Sequence, residues 1–331
     1  MEYRSINLRD DLFKGAVSLE HTAEGITPWR IPYQEYDLFP PNGIGGKSRD
    51  AAGVRLCFQS NTNSMELVFA PSSNELTVDC VVNGAVKATG RIEPGGTVLR
   101  FDGLGNDQKE IEVFFSQKFP VKISGLRVEA KADLSPCQFR PRWVTYGSSI
   151  TQCGAANSPA FTWPAIVARR AKLDLTCLGY GGNCMIEPMV ARMIRDLPAE
   201  YISLCLGINV YGQSALSPRT FKSAVIGFIQ TIREKHPNTP MTVMSPIISP
   251  PRETKENSVG MTLVKMREQI AEVVLMLQGR GDEHIHYVNG MDLFNESLID
   301  YLPDQLHPNH EGYGILADRF EQRVVKQLWN L

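Results

Sequence analysis

Basic clusters are missing from this chain. Its 34 Lys and Arg stand against 36 Asp and Glu, a formal net charge of −2, with no Lys/Arg patch. That removes the electrostatic footprint that nucleic acid or an anionic membrane surface requires. No apolar run approaches the ~20 residues that span a bilayer. Met1 to Phe13 is polar and charged (Glu2, Arg4, Arg9, Asp10, Asp11) and has no apolar h-region, so a secretory signal peptide is not expected there. The cysteines, Cys57, Cys80, Cys137, Cys153, Cys177, Cys184 and Cys205, contain no C-x-x-C pair and no zinc framework. Most stand in strand-like apolar contexts, where a free thiol behaves as a small buried hydrophobe. A reducing, cytoplasmic setting is the expectation. His284 and His286 alternate along an apolar run but have no carboxylate or cysteine at ligand spacing, so no metal is assigned to them. Internal repeats and low-complexity tracts are absent too.

What is present is enough apolar residue, 43% of 331, for roughly two cores. The first part, residues 1–138, alternates. Val54, Leu56 and Phe58 are followed by Met65, Leu67 and Phe69, then by Leu76, Val78, Cys80 and Val82. Asn83-Gly84 is a hairpin signal. Further strands are expected over Val98 to Phe101, Ile111 to Phe115 and Val121 to Val128. Alternation with period two and no amphipathic helix argue for an all-β sandwich of jelly-roll type. Ahead of it lie Trp29, Tyr33, Tyr36 and Phe39, ending in Pro40-Pro41-Asn42-Gly43. Those rings suit either a stacking platform for a sugar or acyl group, or packing between domains.

From Trp143 the texture changes to strand and helix in turn, across residues 139–331. Strands are expected at Trp143 to Tyr146, Leu173 to Leu178, Tyr201 to Leu206, Met241 to Met244 and Ile285 to Val288. Helices are expected over 159–172, 188–194, 218–235, 257–277 and 309–327. This alternation predicts a three-layer, doubly wound α/β domain with a mostly parallel sheet of flavodoxin-like type. Chemistry in such sheets collects at the carboxyl ends of the strands.

Four loops there carry polar residues. The first holds Gly147-Ser148-Ser149-Ile150-Thr151, the second Gly179-Tyr180-Gly181-Gly182-Asn183, the third Gly207-Ile208-Asn209, and the last Asp304-Gln305-Leu306-His307. A serine hydroxyl is a weak nucleophile until an imidazole takes its proton. His307 suits that task, and Asp304 suits holding its ring in one tautomer. The backbone N–H groups of Ser149 and Gly182 and the side-chain amide of Asn209 suit an oxyanion hole. Ser148 alternatively caps the following helix, and Gly181 competes with Gly182. Glu187 and Tyr211 lie just past these loops and are candidates for a substrate pocket. His310 reads as a helix N-terminal residue, and Cys153 as packing.

These four blocks, in this order, resemble the signature of the GDSL, or SGNH, hydrolase superfamily. Ser148 departs from the aspartate usual before the nucleophile. The segment is not the Gly-x-Ser-x-Gly elbow, because its fifth position is Thr151. The resemblance covers about residues 142–331. It implies a serine esterase or acylhydrolase with Ser149, Asp304 and His307 as catalytic triad, and no metal or organic cofactor. Its substrate would be a small-molecule or carbohydrate acyl ester, with short acyl groups preferred. An N-terminal sandwich is similar to arrangements in carbohydrate esterases and in some acyltransferases. Transfer to an alcohol acceptor, or glycan binding on a retired catalytic domain, are the alternatives. Acyl length, the alcohol and the oligomeric state stay open.

Overall fold

The computed structural model describes residues 2–331. Period-two alternation drives the N-terminal part into strands, because every second side chain shares a face. Leu56, Phe58, Leu67, Phe69, Ile111 and Leu126 meet in one buried core. Two antiparallel six-stranded sheets enclose it. Gly25–Trp29, Ser64–Phe69, Val98–Asp102 and Ile123–Glu129 lie in one sheet. Arg55–Ser60, Leu76–Val82, Ala85–Ile92 and Lys109–Phe114 lie in the other. Asn83 and Gly84 take left-handed φ values of 49° and 81°, so the Asn-Gly pair turns Leu76–Val82 directly into Ala85–Ile92.

The strands Arg142–Gly147, Asp174–Gly179, Tyr201–Cys205, Met241–Met244 and Ile285–Val288 form a wholly parallel sheet. Numbered along the chain, they lie across it in the order 2-1-3-4-5. Crossovers between parallel strands are right-handed. The step from first to second strand therefore runs over one face, and the later steps run over the other. Helix packing follows suit. Trp163–Arg170 lies against His310–Phe320, while Pro188–Asp196 and Leu263–Gln278 both pack on Pro218–Arg233. Between the first and third strands the direction of winding reverses, which leaves a crevice at their carboxyl ends. Ser149 and Asn209 follow those two strands.

Some boundaries differ from expectation for local reasons. The helix expected from Asn257 starts at Leu263, because Asn257 Oδ1 accepts the N–H groups of Val259 and Met261, and Thr262 caps the helix. The last helix runs His310–Phe320 and then widens into a π-helical turn, Glu321–Lys326.

The sandwich is fastened to the α/β part. Trp29, Ile31, Phe39, Ile44 and Phe114 share an apolar cluster with Trp143 and Leu175. Tyr33 and Tyr36 pack against the same cluster, so the aromatic segment is used in packing. Arg55 is 2% exposed. It bonds Glu112 at 2.9 Å within the sandwich and Asp174 at 2.7 Å on the parallel sheet. Arg30, also buried, donates to the carbonyls of Cys177 and Gly179.

One expectation is corrected. Cys57 and Cys137 form a disulfide that ties the Arg55–Ser60 strand to the end of the sandwich, leaving five free cysteines. The pairing brings together residues 80 positions apart, a distance along which no spacing pattern points to a bond. Because disulfides persist in oxidising settings, the cysteines no longer argue for the cytoplasm. Among the described residues no helix is long and apolar enough to cross a membrane.

Candidate active site

Two glycines let the first loop sit directly on the sheet. A Cβ on Gly147 would lie 2.2 Å from Thr151 Oγ1, and one on Gly179 would lie 2.3 Å from Gln152 N. With those positions bare, the one-turn helix Ser149–Gln152 rests on the ends of the first two strands. Ser148 is its N-cap and accepts from Ile150 N at 3.2 Å. The Ser148 hydroxyl is thus buried in a capping bond, and Ser149 faces the crevice.

Ser149 Oγ lies 2.7 Å from His307 Nε2. His307 Nδ1 lies 2.6 Å from Asp304 Oδ2, and Asp304 Oδ1 accepts the backbone N–H groups of Leu306 and His307. Burial alone raises the Asp304 carboxyl. The bonds from the His307 ring, His307 N–H and Leu306 N–H outweigh it and hold the group below its usual value. The three side chains form one hydrogen-bonded line from a hydroxyl through an imidazole to a carboxylate.

The second loop lies against the serine. A Cβ on Gly181 would lie 3.5 Å from Ser149 Cβ. Gly181 N donates to Gln152 Oε1 at 2.8 Å, so its N–H is already committed. Gly182, at φ 75°, has an N–H with no acceptor among the described residues, and the same holds for Ser149 N. Asn209 Oδ1 accepts from Cys184 N at 3.1 Å, which turns its amide nitrogen to the other side, where no described residue takes it. The N–H groups of Ser149 and Gly182 and the Asn209 amide nitrogen thus have no acceptor among the described residues.

Gln152 was not singled out by sequence. Besides accepting from Gly181, it donates to Asp50 Oδ2 at 2.8 Å and to the Gln117 carbonyl at 3.1 Å. All its partners are distant along the chain, so no local pattern signals it. Glu187 and Tyr211 are engaged elsewhere. Both carboxylate oxygens of Glu187 are occupied, by Tyr146 OH and Met185 N, and Tyr211 OH donates to the Lys255 carbonyl at 3.0 Å. Burial raises the Glu187 carboxyl, partly offset by those bonds. His310 begins its helix with its ring 5.4 Å from that of Phe161. Cys153 is fully buried, which pushes its thiol well above the usual value and leaves it unreactive. The one metal-type cluster among the described residues, Cys57, Glu110 and Cys137, has its sulfurs joined in the disulfide.

A narrow, largely apolar cavity of about 30 Å³ lies at the first loop, without Ser149 among its lining residues. Ser148 and Ile150, on either side of Ser149, line it with Ile208, Ile248, Ser249 and Leu306.

Comparison with known proteins bears on the same segments. The model of the GDSL-like lipase/acylhydrolase family matches residues 141–326. The model of the SsfX3 N-terminal domain matches residues 12–113. No match was found among curated proteins. Among solved structures, the salicylyl-acyltransferase SsfX3 from a tetracycline biosynthetic pathway is 30% identical. The match covers 98% of this chain and 97% of that one, with a TM-score of 0.91. A protein described as GDSL-like lipase from Bacteroides ovatus is 22% identical over 99% and 98% of the two chains, with a TM-score of 0.75. A family two carbohydrate esterase from Clostridium thermocellum, solved with cellohexaose, is 14% identical over 96% and 99%, with a TM-score of 0.66. The latter two share the fold. A family match across more than half the chain makes this protein a member of the GDSL-like lipase/acylhydrolase family.

Proposed function

We propose that the protein is a serine esterase that cleaves O-acyl esters through an acyl-Ser149 intermediate. The observation that carries this reading is the 2.7 Å contact between Ser149 Oγ and His307 Nε2, continued to Asp304. His307 takes the hydroxyl proton as Ser149 attacks the ester carbonyl. The tetrahedral oxyanion is held by the N–H groups of Ser149 and Gly182 and by the Asn209 amide. His307 then returns the proton to the leaving alcohol, and Asp304 stabilises the imidazolium meanwhile. Water attacks the acyl-enzyme in the second half, with His307 again as base. A sugar is one class of alcohol that fits the reading. Nothing in this sequence of steps calls for a metal or organic cofactor.

A second reading has its own support. The 30% identical relative that spans both domains is an acyltransferase. An acyl-Ser149 intermediate serves equally for transfer to a hydroxyl acceptor. Turnover of p-nitrophenyl acetate, with and without an alcohol or sugar acceptor, separates the two. Hydrolysis predicts acetate as product and no acceleration by acceptor; acceleration with an acetylated acceptor supports transfer. No p-nitrophenol release above that of Ser149→Ala under either condition contradicts both.

A further inference from the structure

Asp304 and His307 sit on an exposed loop, with side chains 53% and 31% accessible. Such a loop does not keep an imidazole at bonding distance unless something outside it supplies a tie. Within the loop, Asp304 Oδ1 gathers two N–H groups, and Gln305 N donates to the Leu302 carbonyl. Gln305 itself stands at φ 60°, a conformation a non-glycine residue adopts at a cost. Besides the Ser149 contact, one side chain from elsewhere bonds residues 304–307 among the described residues. Ser249 Oγ donates to the Gln305 carbonyl at 2.8 Å.

The direction of that hydroxyl is forced. Arg252 Nη1 approaches Ser249 Oγ at 2.8 Å, and a guanidinium only donates. The single Ser249 proton must therefore point to Gln305. Ser249 N–H is in turn fixed by Glu253 Oε1 at 2.9 Å. Glu253 is paired with Arg267, at 2.6 and 2.9 Å, and Arg267 also donates to the carbonyls of Pro246 and Ile247. The network is rooted in the helix Leu263–Gln278 and ends on the loop that carries the imidazole.

We propose that Ser249 is a positioning residue, oriented by Arg252, which holds the 304–307 loop where His307 reaches Ser149. This rests on reading Ser149 as the nucleophile. Ser249 touches no reacting atom in this scheme. It raises the fraction of molecules in which the hydroxyl and the imidazole are in contact.

The test is steady-state turnover of p-nitrophenyl acetate by Ser249→Ala, Arg252→Ala and the double variant, with thermal melting measured on each. Ser249→Ala should lower kcat roughly tenfold, as small misplacements of catalytic groups do, with KM within about twofold. Fluorophosphonate labelling of Ser149 should slow by the same factor. Arg252→Ala should lower kcat less, and the double variant should be no slower than Ser249→Ala, because Arg252 acts through Ser249. The inference is overturned by a kcat of Ser249→Ala within twofold of the parent, by an effect confined to KM, or by an additive double variant. If Ser249→Ala does not fold, Arg252→Ala alone decides, since an unchanged kcat there removes the oriented tie. Unchanged turnover in these variants, with Ser149 still labelled in the parent, leaves the esterase reading intact. Loss of labelling at Ser149 in the parent strikes that reading instead.

Discussion

The Ser149 proton has one short route, to an imidazole nitrogen whose other side is held by Asp304. In the proposed mechanism Asn209 donates from its amide nitrogen, since its oxygen already accepts Cys184 N–H. Asn209→Ala should lower kcat by about 10²–10³ with little change in KM, read from initial rates. Asp304 gives a pH prediction. A carboxyl held below its usual value contributes stability that is fully present above the unfolded value of ~3.9 and disappears as pH falls through the lower folded value. Asp304 is therefore charged throughout the neutral and mildly acid range. Asp304→Asn should lose less stability than the parent when urea unfolding is followed from about pH 5 to about pH 2, and should lower kcat/KM by about 10⁴ at neutral pH. An equal loss of stability in both proteins would show that the Asp304 carboxyl is not held below its usual value. Ser149, Asp304, His307 and Asn209 could be singled out in sequence because each stands in a short contiguous block, although the Asp304–His307 block follows the helical turn Glu296–Tyr301 and not a strand. The choice between Gly181 and Gly182 was not legible. It turns on a bond from Gly181 to Gln152, which only folding creates.

At the scale of the element, the loop carrying Gly181 and Gly182 is held by its neighbours through Gln152. Gln152 clamps Gly181 from below and is clamped in turn by Asp50 and Gln117 from the sandwich side. Gln152→Ala leaves buried donors and acceptors unpaired. It should cost about 1–3 kcal/mol in urea unfolding and lower kcat roughly tenfold as the loop loosens. Loss of stability with full kcat would show that Gln152 holds the fold and not the loop. The first three parallel strands were readable because their apolar runs end in Gly147, Gly179 and Gly207, and the fourth because it runs into Ser245-Pro246. Helix starts were less so, since the Asn257 turn competes with a helical pattern that continues through it.

The whole molecule behaves as two domains sharing one apolar cluster and two buried arginines. Arg55→Met should destabilise the protein by about 1–3 kcal/mol, because Glu112, 1% exposed, keeps only its 3.2 Å bond to Arg140 and Asp174 loses Arg55; chemical denaturation measures it. Thiol titration in denaturant should find five thiols before reduction and seven after. Seven at the outset would mean the Cys57–Cys137 bond is absent in the isolated protein. Two domains and their classes could be read from the change of period near residue 140. The interface could not, because Arg30, Arg55 and Phe114 acquire their partners from segments tens of residues away.

The central claim is that Ser149, and no other serine, carries the acyl group. Labelling the intact protein with a fluorophosphonate and mapping the adduct by peptide mass spectrometry tests it most directly. One adduct per chain is expected, on Ser149, lost in Ser149→Ala and slowed in His307→Ala. An adduct on Ser148 or elsewhere, or none on a folded protein, would contradict it.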